Sequence, residues 1–167
     1  MSDTLRESVT HTLYMEAEYL DEKRWDEWLG LFSDDCEYWL PSWDTELEYT
    51  SDPANELSLM YYDSRIGLED RVFRIKTGTS SASSPLPRTC HQVSNIRPTL
   101  NDDGTCDVKT SWVVHYFKFN ESHQFFGHYE YLLTPTSTQA DSAWKIQKKK
   151  IIVQNDLIPA VLDIYHI

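Results

Sequence analysis

The chain has 167 residues, of which 40% are hydrophobic and 13% aromatic, and its formal net charge is −12. A chain of this length and composition can bury a sizeable core, so we expect a single domain over residues 1–167 rather than a disordered segment. The negative charge argues against nucleic acid as a partner, because phosphate contacts require cations.

Targeting and membrane signals are absent from the sequence. It contains no run of 18 apolar residues, so we expect neither a membrane span nor a membrane partner. The first residues, MSDTLRESVTHTL, lack the basic region and apolar stretch of a secretory signal. We therefore expect a cytoplasmic protein.

Charge is divided unevenly along the chain. Residues 1–70 contain 19 acidic and 4 basic residues, a net charge of −15, whereas residues 71–167 contain 8 acidic and 11 basic residues, a net charge of +3. The acidic part is either a solvated surface or a partner site, and charge alone leaves both open.

Helical spacing dominates the first part of the chain. Thr4 and Glu7 have the spacing of a capping box, and the apolar residues behind them recur at helical intervals, which predicts a helix over residues 4–22. A second, short helix follows, in which Gly30 is expected to let another element approach closely. Its apolar positions are Trp25, Trp28, Leu29 and Phe32.

The middle of the chain alternates between short elements and loops. CEYWLP, residues 36–41, predicts a strand that ends at proline. Residues 42–58 are acidic and rich in turn formers, which indicates a surface excursion. Residues 63–75 are predicted to be helical, and residues 76–87 form a loop of small residues and prolines.

After residue 88 the hydrophobic period changes to two, which is typical of strands. RTCHQVSNIRPTL leads into NDDG, residues 101–104, a hairpin signal. Two further strands, HQFFGHYEYLLT and AWKIQKKKIIVQN, are joined by the loop PTSTQADS. The strand after NDDG is predicted to place Cys106, Val108, Trp112, Val114 and Tyr116 on one face.

This order of elements predicts an α+β fold. The N-terminal helices are expected to pack in a strongly curved, mostly antiparallel sheet. If the sheet bends strongly, it forms a cone with these helices inside its mouth.

Cys90 and His91 are the first candidates for chemistry, because a thiol beside an imidazole can form an activated nucleophile. On a strand, however, successive side chains point to opposite faces, so the two cannot share a hydrogen bond. The alternation places His91 with Thr89 and Val93. Whether His91 and Arg88 face the chain's own core or a neighbouring subunit stays open.

Metal binding is not indicated. The cysteines at positions 36, 90 and 106 are an odd number without CxxC spacing, so we expect reduced, buried thiols rather than disulfides or a zinc site. The six histidines show no helical HxxxH pair and no CxH combined with CxxH.

An acid–base pocket inside the cone is a second possibility for chemistry. Asp34 or Asp35, near the start of a strand, is the best candidate acid or base. Together with Tyr38, Tyr129 or His115 it would form a small polar pocket.

Three consecutive lysines, residues 148–150, lie in the middle of a predicted strand. Alternation sends Lys148 and Lys150 to one face and Lys149 to the other. We expect them to pair with acids on neighbouring strands or to face an acidic partner.

Several stretches, in the same order and over almost the whole chain, resemble the small (β) subunits of aromatic-ring-hydroxylating dioxygenases of the benzoate, anthranilate and 2-halobenzoate branch. GLEDRVFRIKT, a small-residue loop and then RTxHxxxN form the most specific part. The other stretches are LDEKRWDEWLGLF, YWLPSWD, DPANELSLMYYDSR and KKKIIVQNDLI.

The resemblance implies a cone-shaped α+β fold of the scytalone dehydratase and ketosteroid isomerase type. It implies a large (α) subunit as partner, with three large and three small subunits assembled. The large subunit would carry a Rieske [2Fe–2S] cluster and mononuclear Fe(II), and a reductase would supply electrons from NADH. The small subunit would be structural, with no catalytic, cofactor or metal residues of its own.

The resemblance also points to a set of polar residues as partner contacts. Arginine suits interfaces because its planar guanidinium group is weakly hydrated. An intrachain salt bridge is the competing interpretation for each residue. The candidates are Asp63, Arg65, Arg71, Arg74, Arg88 and Asn95.

Two further functions remain as alternatives. A stand-alone dehydratase or isomerase would use an acid–base pair in the cone, and an open polar pocket would favour it over a cone filled with packed aromatic side chains. A ligand-binding homo-oligomer is the third hypothesis.

Overall fold

The computed structural model describes residues 3–136, 143–159 and 161–167, so most of the predicted PTSTQADS loop lies outside the described residues. The helices are α1 (Asp3–Asp21), α2 (Trp25–Gly30) and α3 (Arg65–Thr77), with a final 3₁₀ turn (Ile164–His166). The strands are β1 (Phe32–Pro41), β2 (Ser58–Tyr62), β3 (Arg88–Leu100), β4 (Cys106–Lys118), β5 (Glu121–Pro135) and β6 (Trp144–Val153).

One curved sheet contains all six strands, in the order β2-β1-β6-β5-β4-β3. Strands β1 and β6 run parallel, and every other neighbouring pair is antiparallel. Helix α1 packs against β3 and β6, and α3 packs against β1. The predicted α+β fold, with helices packed in a curved, mostly antiparallel sheet, is confirmed.

Most predicted elements are present, with two differences. Strand β1 starts at Phe32, four residues before the predicted start at Cys36, and β2 lies where a surface excursion was expected to end. Strand β2 pairs with β1, so contacts distant in the sequence stabilise it rather than its own hydrophobic pattern. The segment that connects β1 to β2 is held to the sheet by Trp43, whose indole N–H donates to the Val153 carbonyl at 2.7 Å.

The inner face of β4 follows the predicted alternation. All five residues expected on one face of this strand are buried, and Thr110 completes the row. Trp112 stacks on Tyr129 of β5, with ring centroids 5.1 Å apart and planes 6° apart. The sheet therefore presents a continuous aromatic surface to the helices.

At Gly127 the backbone of β5 leaves no room for a side chain beside β6. A Cβ atom at this position would lie 1.8 Å from the carbonyl oxygen of Ile152. The close contact was expected instead at Gly30, but a Cβ atom there would have nothing within 4 Å. Lys145 of β6 does donate to the Gly30 carbonyl, but the position where a side chain would start is open, so the contact does not depend on glycine.

The C-terminal segment, residues 161–167, folds back against the interior, and its last six residues are buried. Arg71 of α3 holds the segment through two bonds to the Asp163 carboxylate, at 2.9 and 2.5 Å. The Tyr165 hydroxyl lies 3.0 Å from the Ser83 hydroxyl. Aromatic packing and these polar contacts together cover one side of the core.

His166 is the titratable group most affected by this packing. Its Nδ1 accepts a hydrogen bond from the Asp163 backbone N–H at 2.9 Å, and its ring packs 5.0 Å from that of Tyr116. Burial lowers the pKa of His166 from 6.5 to about 4. The folded chain therefore keeps this imidazole neutral in a pH range where an unfolded chain protonates it.

We predict that Gly127→Ala destabilises the chain by about 3 kcal/mol or more, because the added methyl group must push β6 away from β5. Gly30→Ala is the matched control and should change the free energy of unfolding by less than about 1 kcal/mol in either direction. Urea unfolding of both variants measures the two effects. Equal effects at the two positions would contradict the close approach at Gly127.

We predict that His166 makes the chain sensitive to mild acid. As the pH falls from about 7.5 to about 5, the unfolded chain binds a proton that the folded chain cannot accept, so about 2 kcal/mol of unfolding free energy is lost. His166→Asn keeps a side-chain acceptor without the titration, and its unfolding free energy should fall by correspondingly less. Parallel pH dependences of the two proteins, measured by urea unfolding, would refute this role.

Candidate functional site

An ion pair lies inside the core, between Glu16 of α1 and Lys149 of β6. The Lys149 Nζ donates to Glu16 Oε1 at 2.6 Å. The Lys149 side chain is 1% exposed and the Glu16 side chain is 3% exposed. The Tyr131 hydroxyl donates to Glu16 Oε2 at 2.7 Å. Lys149 also lies over the Tyr129 ring, 4.2 Å from its centroid. Both carboxylate oxygens are therefore already bonded within the chain.

Burial shifts the pKa values of the groups around this ion pair. It lowers the pKa of Lys149, while the Glu16 carboxylate acts in the opposite direction. Burial, followed by the charge of Glu16, raises the pKa of Tyr129 and Tyr131 well above the usual value. The two tyrosines are therefore neutral phenols in the folded chain.

Sequence reasoning separated Lys149 from Lys148 and Lys150 but did not find its partner. Lys148 pairs with Glu37 of β1 at 2.8 Å, and Lys150 lies 3.7 Å from Glu130 of β5, so pairing with acids on neighbouring strands is confirmed. The position of Glu16 on the apolar face of α1 could have indicated this partner. The buried residues of that face are Val9, Leu13, Glu16 and Leu20.

The acid–base pocket predicted around Asp34 or Asp35 is not formed. Asp34 is 87% exposed and pairs with Arg65 at 2.7 Å, and Asp35 is also exposed. His115 faces outward on β4, whereas Tyr38 and Tyr129 are buried. The prediction was wrong because β1 starts earlier than expected, which leaves both aspartates on an exposed stretch of the strand.

His91 and Cys90 lie on opposite faces of β3, as the alternation predicted. The His91 side chain is 2% exposed, and its Nδ1 lies 2.5 Å from Asp21 Oδ1 at the end of α1. Asp21 also accepts a bond from the Thr89 hydroxyl at 2.9 Å and one from the His91 N–H at 2.9 Å. His91 therefore faces the chain's own α1 and connects this helix to the sheet edge.

The Asp21 carboxylate is kept ionised by these bonds. Partial burial acts to raise its pKa, but the hydrogen bonds and charge of His91 outweigh that effect and lower it. Asp21 thus serves as an anchor between α1 and β3 rather than as a proton donor.

The three thiols occupy different environments. Cys36 and Cys106 are buried as expected, and burial raises the pKa of Cys36 to about 11. Cys90 is exposed, so the expectation of a buried thiol at this position is wrong. Its exposure follows from the alternation that directs His91 inward. Among the residues that the structure describes, no three His, Cys, Asp or Glu side chains converge as metal ligands.

Two of the candidate partner residues are used within the chain. Arg71 holds Asp163, and Arg65 pairs with Glu69 at 2.9 Å as well as with Asp34. Arg65 also donates to the carbonyl of Phe32 at 3.2 Å. These two arginines therefore fix α3 against the C-terminal segment and β1.

The other four candidates lie at the surface. Asp63, Arg74 and Arg88 are exposed and make no salt bridge to any residue that the structure describes. Asn95 lies at an irregularity of β3 with a φ of 55°, and its amide donates to the Ser111 hydroxyl at 3.3 Å. These four residues fall into two groups. Asp63 lies just before α3 and Arg74 lies within it, whereas Arg88 and Asn95 belong to β3.

None of the helices in the described part of the chain combines sufficient length with sufficient apolar character to cross a bilayer.

Comparison with solved structures places the fold among known ones. The β subunit of benzoate 1,2-dioxygenase from Burkholderia mallei superposes with a TM-score of 0.76 at 36% identity, covering 95% of each chain. A putative scytalone dehydratase from Novosphingobium aromaticivorans superposes with a TM-score of 0.63 at 15% identity, covering 88% of this chain and 82% of that one. The second likeness shows the fold alone.

Sequence comparison gives the family. The chain is 40% identical over 161 residues to the benzoate 1,2-dioxygenase subunit beta of Acinetobacter baylyi, covering 96% of this chain and 93% of that one. It is 38% identical over 167 residues to the anthranilate 1,2-dioxygenase small subunit of the same species, covering 100% of both. The family model described as ring hydroxylating beta subunit matches residues 15–160. The chain therefore belongs to the family of ring-hydroxylating dioxygenase β subunits.

Proposed function

We propose that this chain is the structural, non-catalytic small subunit of a dioxygenase that dihydroxylates an aromatic carboxylate with O₂ and electrons derived from NADH. The names of its relatives support benzoate, anthranilate or a halobenzoate as the substrate class. The observation that carries the non-catalytic role is that both oxygens of the buried Glu16 carboxylate are already bonded, one to Lys149 and one to Tyr131.

The proposed partner is a large subunit, in an assembly of three large and three small subunits. That subunit would hold the Rieske [2Fe–2S] cluster and the mononuclear iron, and a reductase would supply its electrons. A Rieske cluster requires two cysteines and two histidines around one cluster, and no three His, Cys, Asp or Glu side chains converge within the described part of this chain. Cys36 and Cys106 are buried on separate strands, while His91 is bonded to Asp21. We also propose a cytoplasmic location.

The candidate residues take two roles in this proposal. Arg65 and Arg71 hold α3 in place through intrachain ion pairs, and they present the outer side of this helix to the large subunit. Asp63, Arg74, Arg88 and Asn95 are free to contact that subunit directly. Exposed arginines without an intrachain ion pair suit an interface with carboxylates of a partner.

The interior does not favour the dehydratase or isomerase alternative. That function requires an open polar pocket with a carboxylate able to exchange protons. Here aromatic rings pack against each other, with Trp28 and Phe32 at 4.9 Å and Tyr129 and Tyr131 at 5.6 Å between centroids. A homo-oligomer that binds a ligand has no specific observation in its favour.

We predict that co-expression with the large subunit yields a complex with equal amounts of both chains, measured by light scattering after gel filtration. Iron and hydroxylation of benzoate or anthranilate should require the large subunit, while the isolated small chain should show neither. Elution of the small chain by itself after co-expression, or stoichiometric iron on the isolated chain, would refute the proposal.

We predict that the Glu16–Lys149 pair supports the fold and not the reaction. Lys149→Met should cost about 3–5 kcal/mol of unfolding free energy, because it leaves a buried carboxylate without its cation. The double variant Glu16→Gln with Lys149→Met should recover much of this loss. Lys148→Met, the surface control, should change the unfolding free energy by less than about 1 kcal/mol.

Hydroxylation by the assembled complex distinguishes the two roles of this pair. The complex that contains the folded double variant should retain the wild-type kcat. If the double variant folds and assembles but kcat falls tenfold or more, the interior takes part in the chemistry and the non-catalytic role is wrong.

A further inference from the structure

A short loop between β1 and β2 holds an apolar side chain out in solvent. Leu47 at its end is 89% exposed, the largest fraction of any large apolar side chain that the structure describes. Its neighbours Glu46 and Glu48 are also exposed, and neither forms a salt bridge with a described residue. We call residues 44–48 the acidic tip. The tip therefore offers one apolar side chain and two unpaired negative charges to another surface.

Hydrogen bonds within the acidic tip hold it in one conformation. The Thr45 N–H donates to the Glu48 carbonyl at 3.0 Å. The Thr45 hydroxyl accepts from the backbone N–H groups of Leu47 and Glu48, at 3.2 and 3.0 Å. At the base of the tip, the rings of Trp43 and Tyr49 pack with their centroids 5.5 Å apart. A loop that is already ordered in this way loses little conformational entropy when it binds.

A hollow of suitable chemistry lies on the outer face of the sheet. Its volume is about 530 Å³, and its wall includes Val113, Gln124 and Phe126. Phe126 is 42% exposed. None of the described residues that line this hollow is an Asp, Glu, Lys or Arg. Absence of charge together with an exposed aromatic ring is the composition of an interface core, so the hollow can receive an apolar side chain.

A second hollow of about 230 Å³ adjoins the first and shares two wall residues with it. Arg97 and Lys109 line this second hollow, together with the carboxylate of Glu130. Glu130 also lies 3.7 Å from Lys150, so its charge is partly used outside the hollow. The two cations outnumber the one carboxylate. The second hollow therefore keeps an excess of positive charge beside the apolar one.

We propose that the acidic tip of one copy of this chain docks into the two hollows of a neighbouring copy, so that the copies meet head to tail. Leu47 enters the apolar hollow of the neighbour. Glu46 and Glu48, on either side of it, lie beside the neighbour's Arg97 and Lys109. The order of apolar and charged groups on the tip thus matches the order in the two hollows.

A second copy is the occupant because both halves of the contact belong to this chain. The exposure of Leu47 shows that the tip does not fill the hollows of its own copy. Tyr49, at the base of the tip, lines the second hollow of its own copy, so the tip extends outward from the rim of that hollow. A contact between two different surfaces is repeated from copy to copy and can close into a ring.

The distribution of charge along the chain also favours a head-to-tail contact. Residues 1–70 have a net charge of −15, whereas residues 71–167 have a net charge of +3. The tip belongs to the acidic part and the hollows belong to the basic part, so a head-to-tail contact joins opposite charges. This inference goes beyond the proposed function, because the contact is made by this chain alone.

Cross-linking between two different cysteine variants tests the contact. In a Cys90→Ser background, which removes the exposed native thiol, Asp44→Cys marks the tip and Gln124→Cys marks the hollow. A bismaleimide added to a mixture of the two full-length variants should join them into a dimer, and neither variant should cross-link by itself. Glu7→Cys, exposed on α1, is the matched control for Asp44→Cys and should give no product with Gln124→Cys.

Three results of this experiment would overturn the proposal. Cross-linked dimers of either variant by itself would show a contact between like surfaces. A mixture that gives no more product than the Glu7→Cys control would show that the tip and the hollow do not meet. In the co-expressed complex, products that contain the large subunit and no second small chain would assign the hollows to that subunit. Failure of the chain to bind a large subunit would contradict the proposed function and leave this contact intact.

Removal of the apolar side chain tests the fit of the tip. Leu47→Ser, introduced into the Asp44→Cys variant, should slow formation of the dimer at least about tenfold, because a side chain at the centre of the contact is lost. Leu57→Ser is the matched control, since Leu57 is 82% exposed in the same connecting segment but lies outside the tip. It should leave the rate unchanged. Equal rates for the two variants, with circular dichroism showing both folded, would refute the role of Leu47.

Reversal of the charges tests the second hollow. Glu46→Lys with Glu48→Lys in the tip should slow formation of the dimer at least about tenfold. Arg97→Glu with Lys109→Glu in the copy that carries Gln124→Cys should then restore the rate, which a defect in folding could not do. If all the variants are folded and the rate is not restored, these charges do not meet and the proposed arrangement is wrong.

Discussion

The rest of the structure depends on the buried contact between α1 and β6, in which Lys149 and Tyr131 both bond to Glu16. Burying a carboxylate and an ammonium group is costly unless each charge is paired and the remaining oxygens are bonded. That condition is met only when α1 lies at one depth and one rotation over the sheet. The pair therefore specifies the position of the helix around which the six strands curve.

The same interaction is part of a closely packed interior. The space between α1 and the sheet is filled with aromatic rings and with the paired charges of Glu16 and Lys149. The C-terminal segment adds Asp163, held by Arg71, and the neutral imidazole of His166. Contacts within the chain therefore hold both the helix α1 and the C-terminal segment against the sheet.

Much of the fold follows from local patterns. Helical spacing located α1 and α2, and the period of two located β3 and β4 and assigned Cys90 and His91 to opposite faces. Strand β2 was missed because its five residues, SLMYY, have no distinct alternation and are stabilised by pairing with β1. The predicted pocket at Asp34 failed for a related reason, since the true start of β1 is set by its partner strands.

The sequence by itself determined the fold class, the alternation that separates Lys149 from Lys148 and Lys150, and the resemblance to a subunit family, because periodicity and motif order are properties of neighbouring residues. Only the tertiary structure decided that Glu16 meets Lys149 and that Asp21 holds His91. The members of each pair are separated by many residues in the chain. No local pattern reports which charged side chain of a distant element will meet them.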